Sequence, residues 1–195
     1  MDHILKCHEI VKTDFLRADN CYLFDVQGRR YIDFESGIWC TAIGHNHPRI
    51  INAITNQLSQ VMHLGTRYPN EVAEEAAMAV LDITGMKEGK CLFLSSGSEA
   101  VEFGVQAIRK MTGKDRLLAF QNSDLGSYGS AGVKSENEWV LLDWNEFVEN
   151  DLDAKLDLIP FERLGGFVFE PGGSGIGLVH FPPKFLVEEI CRRVK

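Results

Sequence analysis

Residues 91–109, Cys91-Leu-Phe-Leu-Ser-Ser-Gly-Ser-Glu-Ala-Val-Glu-Phe-Gly-Val-Gln-Ala-Ile-Arg109, decide how this chain is read. The apolar run Cys91 to Leu94 has the composition of a buried strand, and Ser95-Ser-Gly-Ser98 is a tight polar turn. Beyond it Ala100, Val101, Gly104, Val105, Ile108 and Met111 recur at helical spacing. A strand that turns through small residues into a helix aims free backbone N–H groups at one point, and the helix dipole adds partial positive charge there. Such a point suits a phosphate. Gly97 lets the backbone come close, and the hydroxyls of Ser96 and Ser98 can donate. The same residues support a second reading: Ser96-x-x-Glu99 fits a capping box, which satisfies the first helical N–H groups and binds nothing.

Outward from this stretch, strands and helices alternate. The helix over 99–111 is closed by Gly113, and strands are predicted at 116–120, 138–142 and 166–170. Residues 121–137 form a polar, Gly/Ser-rich loop, a short helical stretch falls near 145–150, and a helix runs from about 183 to 194. This alternation predicts an α/β fold with a mostly parallel sheet covered on both faces. Upstream, Cys21-Tyr-Leu-Phe-Asp-Val and Arg29-Arg-Tyr-Ile-Asp-Phe read as a hairpin joined by a two-residue Gln27-Gly28 turn. Helices follow from His47-Pro48, with Ile51, Ile54, Leu58, Val61 and Met62 in period, and from Asn70 to Ile83, ended by Gly85. The chain stops on the amphipathic helix 185–194, where a parallel sheet calls for another strand, so Lys195 reads as an interruption.

The 195 residues suit one domain with an extra lobe, and 45% hydrophobic content with 12 Phe supports a real core. No run approaches the roughly 18 apolar residues of a membrane span, and the N-terminus carries no signal-peptide pattern. A net charge of −8 without a Lys/Arg cluster argues against nucleic acid. Five scattered cysteines, three in apolar strand-like runs (Cys21, Cys40, Cys91), read as small hydrophobes of a reducing, cytoplasmic compartment.

Other constellations carry less. His45-Asn-His47 has no partner set completing a metal shell and reads as a turn before a helix, so no metal is expected. Gly172-Gly-Ser-Gly-Ile-Gly177 is neither a dinucleotide fingerprint nor a P-loop. A Gly-rich loop after a parallel strand is nevertheless a usual place for a ligand. Ser127 and Ser130 have Leu125 and Tyr128 two residues before them, where a hydrolase elbow needs glycine.

Four stretches in order resemble the class III (omega-type) pyridoxal-phosphate aminotransferases, N-terminal half: Leu23–Phe34, Gly44-His-Asn-His-Pro48, Ser96-Gly-Ser-Glu-Ala100 and Phe169-Glu-Pro-Gly172. The resemblance covers roughly residues 20–195. It implies the fold-type-I (aspartate aminotransferase-like) architecture with an incomplete large domain. Residues 1–60 would contribute to the small domain and dimer contacts, and 61–195 would form the first half of the large domain. It implies a transaminase moving an amino group from an amine or amino acid to a 2-oxo acid, with pyridoxal 5'-phosphate as cofactor. The expected assembly is a homodimer or a pairing with a missing C-terminal half.

Carried onto this chain, Ser96, Gly97 and Ser98 would hold the cofactor phosphate, Glu170 would lie at the cofactor end of its strand, and Trp39 on the substrate side. Two departures stand out. Asp124 occupies the position where the family stacks an aromatic on the pyridine ring; a carboxylate cannot stack, so it would hydrogen-bond the cofactor or Tyr128 would take its place. The family's Schiff-base lysine falls beyond Lys195, and Lys87, Lys90, Lys110, Lys114, Lys134, Lys155 and Lys184 lack its context. The isolated chain is therefore expected to be inactive. The alternative is a truncated or degenerate aminotransferase-like domain with a binding or assembly role.

Overall fold

Leu117 and Ala119 face one side of strand β4 (Arg116–Phe120), Leu118 and Phe120 the other, and all four are fully buried. Period-two alternation with apolar residues on both sides means a strand covered on both faces. β5 (Trp139–Leu142) and β6 (Leu164–Phe167) flank it, both parallel to it, in the order β5-β4-β6. These belong to residues 77–195, one of two compact units; the other is 1–76. The computed structural model describes residues 3–5, 9–65, 67–172 and 180–194. Most of the Gly172–Gly177 loop, from residue 173 on, lies outside them.

On one face of the sheet, α4 (Gly97–Thr112) and α5 (Gly129–Val133) bury Val105 and Ala131 against Leu117, Ala119, Leu125 and Trp139. On the other, α6 (Leu152–Leu156) and α7 (Lys184–Arg193) bring Leu156, Leu186 and Ile190 onto Leu118, Phe120 and Leu142. Phe120 centres an aromatic cluster, edge-on to Trp144, Phe167 and Phe169 at 5.0–5.7 Å between ring centroids.

The helix boundaries follow their caps. Ser96 starts α4, and Gly113, with φ 69°, ends it in the left-handed conformation that glycine tolerates. Several expectations need correction. Cys91–Leu94 is not a strand, and Leu92, Phe93 and Leu94 are exposed. A strand exists only where a neighbour takes its backbone groups; β5 and β6 occupy both sides of β4, and none of the described residues pairs with 91–94. The strand predicted at 166–170 begins earlier, at Leu164. The stretch 145–150 is two 3₁₀ turns, Trp144–Glu146 and Glu149–Asp151, and α5 lies inside the loop predicted for 121–137.

In residues 1–76, β1 (Phe15–Asp19), β2 (Tyr22–Asp25) and β3 (Arg30–Ile32) form an antiparallel meander. β1 was not anticipated from the sequence. The turn is longer than two residues: Asp25 N–H bonds Arg29 C=O, and Gly28 takes φ 78°. Its lock is Asp25, whose carboxylate accepts from the backbone N–H groups of Gln27 and Arg29, from Arg29 Nε at 2.6 Å and from the Tyr31 hydroxyl. Burial pushes this carboxyl up, but those hydrogen bonds together outweigh it and hold it below the ordinary range.

Ser36–Trp39 (α1) then winds with left-handed dihedrals, φ 52° to 65° at four successive residues. α2 (Pro48–Gln60) starts on His47-Pro48, and α3 (Glu71–Thr84) runs across the boundary between the units. Asn70 caps α3 by accepting from Ala73 N–H. Asp25 is the only buried residue of this unit among those described, and Ile50, Ile51, Ile54 and Leu58 of α2 are exposed. Cys21 and Cys40, read above as small hydrophobes, are exposed too, because the segments that carry them have no apolar layer over them within the unit. Among the described residues no helix is long and apolar enough to cross a membrane.

Candidate anion site at the start of helix α4

The capping reading of Ser96–Glu99 is realised. Ser96 Oγ accepts from Glu99 N–H at 3.2 Å, and its hydroxyl lies 3.3 Å from Glu99 Oε2, so the cap is formed. The cap uses only the Glu99 amide. The N–H groups of Gly97 and Ser98 have no acceptor among the described residues, and a Cβ built on Gly97 would meet nothing within 4 Å. Two adjacent amides at the positive end of a 16-residue helix are therefore left without a partner among the described residues, and the space beside Gly97 is open.

The loop after β4 folds back onto this helix start. Ser127 N–H donates to Ser98 Oγ at 2.9 Å. Because that oxygen acts as acceptor, its own proton remains available to a ligand. Gly126, at φ +111°, packs so closely that a Cβ there would lie 2.8 Å from Ser98 Oγ. One helical turn further on, Glu102 Oε2 accepts from Ser130 N–H at 2.9 Å and from Ala131 N–H at 3.4 Å, capping α5. Between these two clasps sits Tyr128, its hydroxyl 3.3 Å from Ser96 Oγ. The clasp residues Gly126, Ser127 and Glu102 were missed in the sequence. The only available signal was Glu102 at i+4 from Ser98, which puts both on one helix face.

Asp124 and Glu170 also meet. Glu170 Oε2 accepts from Asp124 N–H at 3.0 Å, and Glu170 N–H donates to Ser123 Oγ at 3.1 Å. The Asp124 carboxylate turns back onto its own loop, accepting from Gly126 N–H at 3.0 Å. Beneath α5, Ser130 Oγ takes bonds from Arg109 Nη2 and Trp139 Nε1 and donates to Glu138, which pairs with Arg109 at 2.8 Å. The Ser135 hydroxyl, Arg109 and Ser130 hold the Glu138 carboxyl below its ordinary range against its partial burial. The network fixes the loop from below.

Trp39 belongs to residues 1–76, where it ends α1 and is 61% exposed. His45 Nε2 bonds Asp33 Oδ2 at 2.7 Å, and this bond, with the N–H groups of Ser36 and Glu35, holds the Asp33 carboxyl low despite its burial. No group of three or more His, Cys, Asp or Glu residues fit to hold a metal occurs among the described residues.

Residues 6–131 match the model of the aminotransferase class-III family, and the chain belongs to that family. Among curated relatives it is similar to an acetylornithine aminotransferase of Streptococcus mutans, 33% identical over 71% of this chain and 36% of that protein. It is likewise similar to one of Aquifex aeolicus, 28% identical over 98% of this chain and 54% of that protein. Among solved structures it is similar to a taurine:2-oxoglutarate aminotransferase of Bifidobacterium kashiwanohense, in complex with PLP and glutamate. There the TM-score is 0.81 and the identity 19%, over 98% of this chain and 51% of that one. An omega-transaminase of Thermomicrobium roseum gives TM-score 0.84 at 18% identity, over 99% and 53%. The fold is that of the fold-type-I aminotransferases, and the chain spans between about a third and about half the length of these proteins.

Proposed function

We propose that this chain is the cofactor-phosphate portion of a pyridoxal-phosphate-dependent transaminase that moves an amino group from an amine or amino acid to a 2-oxo acid. The observation that carries the reading is the pair of open amides at Gly97 and Ser98 beside the Ser96 and Ser98 hydroxyls. Family membership supports it. The donor set fits a phosphate monoester: main-chain N–H groups for two oxygens, a hydroxyl proton on Ser98, and no side chain over Gly97.

In this reading Ser96, Gly97 and Ser98 bind and orient the cofactor through its phosphate. Asp124 and Glu170 line its ring end, their mutual hydrogen bond fixing the floor between two strand ends. Trp39 serves the substrate side. When bound, the cofactor supplies an electron sink for the substrate α-carbon. The chain's own residues hold it and shape the wall. Residues 1–60 contribute to a small domain and to dimer contacts, 61–195 form the first half of the large domain, and the protein acts as a cytoplasmic homodimer.

A second reading, a degenerate aminotransferase-like binding or assembly module, is favoured by Asp124. Its carboxylate caps Gly126 N–H in a position where the family resemblance calls for a stacking ring.

Thermal unfolding with added pyridoxal 5'-phosphate or pyridoxal tests the phosphate grip. Stabilisation by the phosphorylated form alone is expected, following the usual mass-action dependence on ligand concentration. Equal effects of both, or none, would refute it. An amino-transfer assay on the protein carrying this chain then separates the enzyme from the binding module.

A further inference from the structure

We infer that Asp33 and His45 are positioning residues for Trp39: the bond between their side chains closes the strained turn that joins β3 to α2 and fixes the indole carried in it. That Trp39 serves the substrate side belongs to the reading above, on which the consequence for the reaction rests. The hold itself rests on geometry within residues 1–76. Ser36, Gly37, Ile38 and Trp39 take φ between 52° and 65°, a conformation that residues with a side chain adopt only at a cost. Strain of this kind persists where the surroundings over-determine it. Packing does not do so here. No residue from 34 to 43 is buried, and Ile38 is 71% exposed. A cavity of about 230 Å³ lies against the turn, lined by Cys21, Asp33, Ser36 and Thr41 among others.

Hydrogen bonds hold the turn instead, and they converge on one carboxylate. Asp33 Oδ1 accepts from Ser36 N–H at 2.8 Å and from Glu35 N–H at 3.0 Å. The Glu35 carbonyl in turn accepts from Trp39 N–H at 3.1 Å, and the Ser36 carbonyl from Thr41 N–H at 3.0 Å. The other carboxylate oxygen, Oδ2, takes His45 Nε2 at 2.7 Å, so the residue before the turn is joined to the one after it. The Asp33 side chain is 7% exposed and that of His45 22%, which keeps the bond largely out of water. Both residues are anchored on the corner between β1 and β2. Asp33 N–H donates to the Cys21 carbonyl at 2.9 Å, and His45 exchanges two backbone bonds with Asn20, at 2.8 and 3.1 Å. Gly44, at φ +88°, packs so closely that a Cβ there would lie 2.6 Å from Asn20 Oδ1. His45 thus acts on Trp39 through Asp33 and Glu35, from a corner that is itself fixed.

The test follows the full chain, labelled with 5-fluorotryptophan, by fluorine NMR. Its three tryptophans report separately: Trp139 and Trp144 are buried in residues 77–195, and Trp39→Phe identifies the third signal. His45→Ala is expected to shift and sharpen the Trp39 resonance, while the Trp139 and Trp144 signals and amide protection in β2 stay as they were. His45→Gln, whose amide nitrogen can stand in for Nε2 as donor to the carboxylate, is expected to restore the Trp39 signal. An unmoved Trp39 resonance in His45→Ala overturns the inference. So does loss of protection in β2, which makes the pair a support of the whole meander. In the protein carrying this chain, His45→Ala and Trp39→Phe are each expected to raise KM for the amino donor about tenfold without weakening pyridoxal 5'-phosphate. If Trp39→Phe raises KM and His45→Ala does not, the inference fails and the reading of Trp39 stands. If neither changes KM, or the protein transfers no amino group, the placement of Trp39 on the substrate side falls and the positioning role in the reaction falls with it.

Discussion

Ser127 donates its backbone N–H to the side-chain oxygen of Ser98 across 2.9 Å, joining a loop after one strand to the first turn of a helix that precedes it by 29 residues. The bond makes Ser98 do two jobs, locking the loop and leaving a hydroxyl proton and a backbone N–H free at the helix start. Ser98→Ala therefore releases the 126–128 loop as well as removing a donor. Amide exchange at Ser127 should accelerate in the variant without ligand; an unchanged rate would show that the loop is held without Ser98.

Gly126 is the closest approach in the same clasp. At φ +111°, with a built Cβ 3.0 Å from Ser98 Cα, alanine is both strained and blocked by backbone. Gly126→Ala should cost about 1–3 kcal/mol in chemical unfolding. A loss below about half a kcal/mol would mean that the loop moves aside freely.

Glu102 caps α5 from another helix. Removing its carboxylate leaves the N–H groups of Ser130 and Ala131 without their acceptor. Glu102→Ala should raise exchange at those two amides while Leu117–Phe120 in β4 stays protected. Equal loss of protection in β4 would instead mean general destabilisation.

Acid should loosen α7. The Glu189 carboxylate accepts from Arg192 and Arg193, and these bonds depress its pKa from 4.5 to about 2. A depressed acid stabilises the fold above its unfolded-state pKa, and that contribution drains away as pH falls through the folded value. Stability should thus decline between about pH 4.5 and pH 2, and Glu189→Gln should flatten that decline. An identical acid profile in the variant would assign the loss to other carboxylates.

Phe120 holds the lower core, with three aromatic rings edge-on to it and no exposure. Phe120→Ala should destabilise residues 77–195 by about 3–5 kcal/mol. A cost near 1 kcal/mol would mean that the cluster collapses into the space.

The legible parts of this protein are those with local causes. Helix α4 was bracketed by Ser96 and Gly113, β4 and β5 by β-rich apolar runs, and the hairpin by Gly28, because caps, periods and turns act within a few residues. Cys91–Leu94 was misread for the same reason: its composition is a strand's, but pairing is a property of a neighbour. α5 was missed because Gly129-Ser-Ala-Gly-Val133 has weak helix propensity and is held by a distant glutamate.

By itself the sequence determined the alternation of elements, the helix start at Ser96-Gly-Ser98 and the residue types that suit a phosphate there. Only the tertiary structure decided that Ser98 meets Ser127, that Glu102 meets Ser130, that Asp124 meets Glu170, and that Tyr128 stands over Ser96. Those partners lie 28 to 46 residues apart. Asp124 meets Glu170 because β4 and β6 lie parallel and end on the same side, and the other pairs meet because α4 and α5 pack together on one face of that sheet; neither juxtaposition is written in a local pattern.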